Sequence, residues 1–315
     1  MKYIAKRLLA LAGILLASSF AVFGGLYLAP GSPEQFLVQG RTVSAEVLAS
    51  IREQYNLDDP FLVRYVSWVG NALQGDFGQS LANRQEVADL LASRLPTTLW
   101  LTGLAAVLIV VLGIGLGTLA GLRPGVLDNI ILFASNLGFA VPTFFAGLLL
   151  MSLFSVQLGW FPVFGSGSGE GIASRLTHLT LPALALALPS IAVVSRITRT
   201  AVREERESEH AMTARSRGVP ERVLIPRHVI LNSLLPVTTV SGVHIAGLLA
   251  GAFVVESVFT LDGIGALLVT SIQQKDFAVV QAVALIMVVA FGLINLLVDL
   301  LYAVIDPRVR LGGAS

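Results

Sequence analysis

The chain has 315 residues, of which 55% are hydrophobic and only 13% charged, whereas soluble domains are about a quarter charged. That composition excludes an ordinary soluble domain and points to a polytopic membrane protein. With no cysteine there is no disulfide framework, no thiolate metal site and no thiol nucleophile, and a net charge of +1 names no partner until it is mapped by side.

A bilayer crossing takes about 20 mainly apolar residues. The first segment of that kind is Leu8 to Ala29, preceded by Lys2, Lys6 and Arg7. It is longer than the about 7–15 apolar residues of a secretory signal and ends in Ala29-Pro30-Gly31, so it reads as a retained anchor. The stretch from Pro30 to Pro96 is the sizeable extramembrane region. It opens with the turn PGSPEQF, and Ser44 then caps a helix with Val47, Leu48, Ile51 and Tyr55 on one face. Phe61, Tyr65, Trp68, Val69, Ala72 and Leu73 recur at three- and four-residue steps, which predicts an amphipathic helix ended by Gly75. Its aromatic face suits the membrane surface or the mouth of a helix bundle.

Five further spans follow: Thr98 to Ala120, Ile130 to Leu158, Leu179 to Ile197, Leu234 to Val255 and Val279 to Ile305. In the first of these Gly113, Gly117 and Gly121 repeat every fourth residue, either for close packing within the chain or for a seam between subunits. Pro182 and Pro189 interrupt the span from Leu179. With the N-terminus inside, the inner face carries fourteen of the 21 basic residues and the outer face seven, which places both termini in the cytoplasm. The organisation is a first transmembrane helix over 1–30, an extracytoplasmic segment over 31–96, and a five-helix core over 97–315 with a charged cytoplasmic loop at 201–230.

That loop is punctuated. Ala201 to Arg217 reads as a helix, Gly218 stands where a left-handed residue ends it, and Pro220 suits the first turn of the next helix, which runs through Val223, Leu224 and Ile225 towards the fifth span. Ala211, Met212, Ala214, Gly218 and Val219 form a small-residue patch that could fit a groove. A solvated connector drawn to anionic lipid is the plainer reading, yet a plain connector needs neither this length nor these breaks.

The loop also carries a resemblance. MTARSRG, a basic stretch and then RHVILNSLLP are similar to the EAA loop of binding-protein-dependent ABC importer permeases, in the dipeptide, oligopeptide and nickel branch. YLAPGSP, LDDPFLVRYVSWVGNALQGDFGQSL, VPTFF, VVESVFTLDGIGALLVTSIQQKDFAVVQ and LLVDLLYAVIDPRVR match that branch in order, so the resemblance covers nearly the whole chain. Met212 departs from the small residue common in the loop motif, and Leu261-Asp262 replaces a Trp-Pro before GIG. The resemblance implies an all-α polytopic membrane protein with six transmembrane helices and the type I ABC importer permease fold, in a bacterial cell membrane. It implies a second homologous permease subunit forming a heterodimer, two ATP-binding cassette subunits or domains, an extracytoplasmic substrate-binding protein, and no nucleic-acid partner. The cargo it implies is di- or oligopeptides, with nickel, haem or another small solute as the alternative. It assigns Met212, Thr213, Ala214, Arg215, Gly218, Val219 and Pro220 to coupling with the ATPase.

The chain itself offers no ATP site. A phosphate-binding Walker loop needs Gly-Lys-[Ser/Thr], and Lys2, Lys6 and Lys275 do not follow glycine. ATP and Mg²⁺ are therefore expected on partner subunits, with no cofactor on this chain. GSGSG at Gly165 to Gly169 has glycine at its centre and is no nucleophile elbow. The four histidines lack the spacing of a metal site. A self-sufficient channel or carrier would leave the loop without a purpose. Polar residues inside spans are costly, so they are candidates for the translocation path: Asn136, Gln157 and His244, each otherwise a bond between helices, and Glu256, either a path charge or a hydrogen-bond partner of the outer loop. Asn295 and Asp299 share a helical face, and Asp299 is expected to pair with an arginine.

Overall fold

A computed structural model of the chain describes residues 2–27, 44, 46, 49, 59–80 and 82–305. The PGSPEQF turn, the helix expected through Val47, Leu48, Ile51 and Tyr55, the Asp299 side chain and the DPRVR terminus lie outside the described residues. The chain forms two compact units.

The first unit comprises residues 1–96 and 263–292. Its α1, Lys2–Tyr27, presents Phe20 and Phe23 to α2, Phe61–Leu73. Phe61, Tyr65 and Trp68 of α2 meet those rings at centroid distances of 5.2 to 5.7 Å, several of them edge-on, the geometry that ring quadrupoles favour. The Tyr65 hydroxyl and Ser19 Oγ share a hydrogen bond of 2.8 Å. The aromatic face that the sequence predicts thus has a seat on α1. Gly75, at φ 83°, closes α2: its N–H donates to Ala72 O and the Asp76 N–H to Asn71 O.

After α2 comes a short antiparallel ladder, β1 Gln79–Ser80 with β2 Gln85–Glu86, which corrects the all-α expectation. Two residues per strand show no two-residue periodicity, so nothing in the pattern announces them. The ladder is pinned by buried Asp276, whose Oδ2 accepts from Ser80 Oγ at 2.5 Å and from the Ala82 N–H at 3.2 Å. Val87, Leu90 and Leu91, at the start of α3 (Val87–Leu122), pack with Ile264 and Leu267 of α9 (Ile264–Gln274) and with Val279, Ala282 and Val283 of α10 (Phe277–Ile305).

The second unit comprises residues 97–262 and 293–315. Its hub is α6, Ile172–Glu207, with 61% of its apolar window buried against 39% for α8, Glu221–Val258. Pro182 and Pro189 each delete a backbone donor without ending α6, because the helices packed around it hold its course. The glycine row of α3 makes the closest approach. A Cβ on Gly117 would stand 2.4 Å from Ser195 O and 2.5 Å from Thr198 Cβ, and one on Gly113 or Gly121 would stand 2.8 Å from Val194 or Val202. Of the two roles the spacing allows, the packing one is met within this chain.

The expected continuous span from Ile130 to Leu158 is instead two helices, α4 Val126–Ala140 and α5 Thr143–Gln157, bent by 111°. Pro142 forces the break. It has no N–H to continue α4, and it pushes Val141 into extended backbone at φ −80° and ψ 125°. Among the described residues, four helices are long and apolar enough to cross a membrane: α3, α6, α8 and, in α10, Phe277–Leu297. The α4–α5 pair makes up to five, and α1 carries a shorter apolar stretch, Leu9–Gly25.

Candidate functional site

The charged segment between α6 and α8 folds as a short helix between two sharp corners. α6 does not run on to Arg217 as its composition suggests. It stops at Glu207, and Ser208 turns extended at ψ 154°. Ser208 then caps α7, Glu209–Ser216, its Oγ accepting from the Ala211 N–H at 3.4 Å while donating to Glu205 O at 2.7 Å. A serine four residues ahead of Met212 was the available signal, masked by the strong helix formers on both sides.

The second corner follows the sequence reading closely. Gly218 has φ 78°, its N–H donates to Arg215 O at 2.9 Å, and the Val219 N–H donates to Ala214 O at 3.1 Å. This paired closure requires a left-handed residue, which a side chain other than glycine enters at a cost of about 1–2 kcal/mol. Pro220 sits one place earlier than expected. It is the extended residue before α8, with ψ 144°. α8 contains a widened, π-type turn over Ile225–Ile230 that includes Pro226.

Arg215 fastens the two corners together. Its Nη1 donates to Arg206 O at 2.8 Å, at the end of α6, and its Nε to Glu221 Oε1 at 2.6 Å, at the start of α8. His210 adds a second tie: its Nε2 lies 3.2 Å from Asn232 Nδ2 of α8 and 3.2 Å from Glu205 Oε2 of α6. The Glu205 contact has ion-pair distance without hydrogen-bond alignment. Arg206 in turn donates to Leu122 O at the end of α3, at 3.1 Å. Hydrogen bonds thereby tie α7 to α6 and α8, and α6 to α3. Its outward side is Met212, Thr213, Ser216 and Arg217, all exposed, while Ala211 is buried and Ala214, Arg215 and Val219 are half-buried.

Beneath this segment lies a cluster that the sequence reading missed. Asp128, buried in the first turn of α4, accepts from Arg199 Nε at 2.5 Å, from Arg199 Nη2 at 2.8 Å and from Arg203 Nη2 at 2.5 Å. The signal was an acid placed just after Gly125, at a helix start, with two arginines four apart on α6.

The four path candidates do not form one cluster. Asn136 is exposed on α4 and Gln157 is exposed at the end of α5. His244 Nδ1 of α8 meets Ser190 Oγ of α6 at 3.2 Å, a bond between helices. Glu256 is fully buried about 18 Å further along α8, and it accepts from Thr98 Oγ1 at 2.6 Å. Its carbonyl accepts from the Leu261 N–H at 2.8 Å, in the outer turn.

Residues 113–311 match the family described as binding-protein-dependent transport system inner membrane component, and residues 1–102 match the N-terminal part of such membrane components. The chain belongs to this family. The permease is also 38% identical, over 311 residues, to the glutathione transport system permease proteins GsiC of Escherichia coli (strain K12) and Salmonella typhi. Each alignment covers 98% of the permease and 99% of the relative. The permease is thus a membrane transport subunit of an ABC importer, and the clamped α7 lies within the matched region.

Proposed function

We propose that this permease forms half of the translocation path of an ATP-driven peptide importer and receives its motive force at α7. The observation that carries the reading is the double clamp of Arg215, which ties an exposed helix to the ends of two crossing helices. A nucleotide-binding partner that closes against Met212 and Thr213 moves α6 and α8 as rigid arms, because neither corner can absorb the displacement without breaking its hydrogen bonds.

In this reading six spans cross the bilayer, with α1 and the α4–α5 pair each counted as one, and both termini lie in the cytoplasm, as the bias of basic residues favours. A second homologous permease completes the path, two ATP-binding cassette subunits or domains hydrolyse ATP with Mg²⁺, and a substrate-binding protein delivers cargo outside. The cargo is a short peptide. The relatives named as glutathione permeases support that class, glutathione being a modified tripeptide. No observation favours nickel or haem.

The test is reconstitution in proteoliposomes of the permease with its copurifying partners. Uptake of glutathione or a dipeptide that needs both ATP and the binding protein is expected. Flux through the isolated polypeptide without nucleotide would overturn the reading.

A further inference from the structure

Arginines and acids are unevenly matched along α6. Asp128 is saturated, with both oxygens engaged by Arg199 and Arg203. Arg196, one turn earlier on the same side of α6, is exposed and forms no ion pair among the described residues. Its guanidinium instead lies over the Phe139 ring of α4, 5.7 Å from the centroid. A cation so placed is attracted by the ring quadrupole without using its N–H donors.

The exposed surface of α4 divides in two around this point. At 3.6 residues per turn, Ile130, Phe133 and Leu137 fall in one exposed sector, which is apolar throughout. Asn136 and Asn129, also exposed, fall between that sector and Phe139, with Asn129 about 40° from Phe133 and about 100° from Asp128. An unpaired guanidinium and two carboxamides are costly against acyl chains. The apolar sector suits lipid, and the sector of Asn129, Asn136 and Arg196 suits water.

We propose that Arg196 lines the aqueous path and that its guanidinium recognises a carboxylate of the passing solute, with Asn136 beside it. This rests on the importer reading above and narrows its cargo to solutes bearing a carboxylate. An arginine fork presents two parallel N–H donors to a carboxylate, which a lysine cannot reproduce. Arg196 is also rigidly joined, through α6, to the corner at Ser208. A movement of α7 therefore displaces this cation and changes its hold on the solute.

The experiment uses the complete transporter in proteoliposomes, with glutathione and its diamide as probes. At limiting concentration, Arg196→Gln lowers uptake of glutathione about tenfold relative to the diamide, the loss expected for one charge-assisted hydrogen-bonded contact. Arg196→Lys lowers it less. The binding protein's own preference cancels, because each ratio is compared with that of the unaltered transporter. A second arm labels Arg196→Cys and Ile130→Cys with a charged, membrane-impermeant thiol reagent, which the absence of native cysteine keeps specific to this chain. The Arg196→Cys variant reacts and the Ile130→Cys variant does not. Equal loss of both probes, no loss of either, or an unreactive Arg196→Cys variant overturns the proposal. So does loss of copurified anionic phospholipid from Arg196→Gln with an unchanged uptake ratio, which would assign the guanidinium to a lipid headgroup. If the unaltered transporter imports no glutathione, the peptide reading falls, and labelling still decides whether Arg196 faces the path.

Discussion

Arg215 grips Glu221 across the corner at Gly218, Nε to Oε1 at 2.6 Å, while its other arm holds the Arg206 carbonyl at 2.8 Å. One side chain therefore spans α6, α7 and α8. Glu221 is more than half exposed and Arg215 about a third exposed, so the pair adds little to global stability. Its consequence is geometric. Arg215→Ala is expected to leave thermal stability nearly unchanged in detergent. It should lower the number of solute molecules imported per ATP several-fold, as measured by parallel uptake and phosphate release. An unchanged ratio would show that α7 is held by its corners alone.

Gly218 separates backbone strain from steric clash. A Cβ there meets no atom within 4 Å, yet φ is +78°. Substitution thus costs only what a left-handed conformation costs, about 1–2 kcal/mol for most residues and less for asparagine. Gly218→Asn is expected to retain most transport. Gly218→Val, branched at Cβ, should uncouple ATP hydrolysis from uptake while inserting normally. Equal transport by the two variants would count against a φ-based role.

The corners show what was legible in the sequence. Gly218 and Pro220 mark the second corner by residue type alone, since few residues other than glycine accept positive φ. Ser208 marks the first only weakly, because Glu204, Glu205, Arg206, Glu207 and Glu209 around it all favour helix. The crossing helices were readable from apolar length, but the 111° bend at Pro142 was not. A proline in a span sometimes only kinks it, and packing decides which occurs. Asp128 with its two arginines depends on a contact across 71 residues of chain, which no local pattern encodes. The glycine row was visible as a stripe, and only the structure names α6 as what it meets.

That stripe has its tightest point at Gly117. A methyl group there would stand 2.4 Å from Ser195 O, a backbone atom that cannot rotate away. α3 and α6 would have to separate, and overpacking of this kind costs about 1–3 kcal/mol or more. Gly117→Ala should lower the melting temperature of the purified permease by several degrees. Gly103→Ala, on the same helix with no atom within 4 Å of its Cβ, should not lower it, since alanine favours helix over glycine. If both variants melt alike, the close approach of α3 to α6 is wrong.

The Asp128 cluster makes the strongest stability prediction. The carboxylate is buried and engages Arg199 and Arg203 together. Removing its charge leaves two guanidinium groups facing one another, the worse of them Arg199 at 19% exposure. Breaking one partner of a buried pair costs about 3–5 kcal/mol, mostly because the remaining charge is left without compensation. Asp128→Asn is therefore expected to reduce the amount of folded permease recovered from membranes. The double variant Asp128→Asn with Arg199→Gln should recover part of the loss, since it removes one uncompensated charge. Recovery measured by fluorescence-detected size exclusion decides the matter: if the double variant is as poor as the two single losses combined, Asp128 acts through something other than its pairing with Arg199.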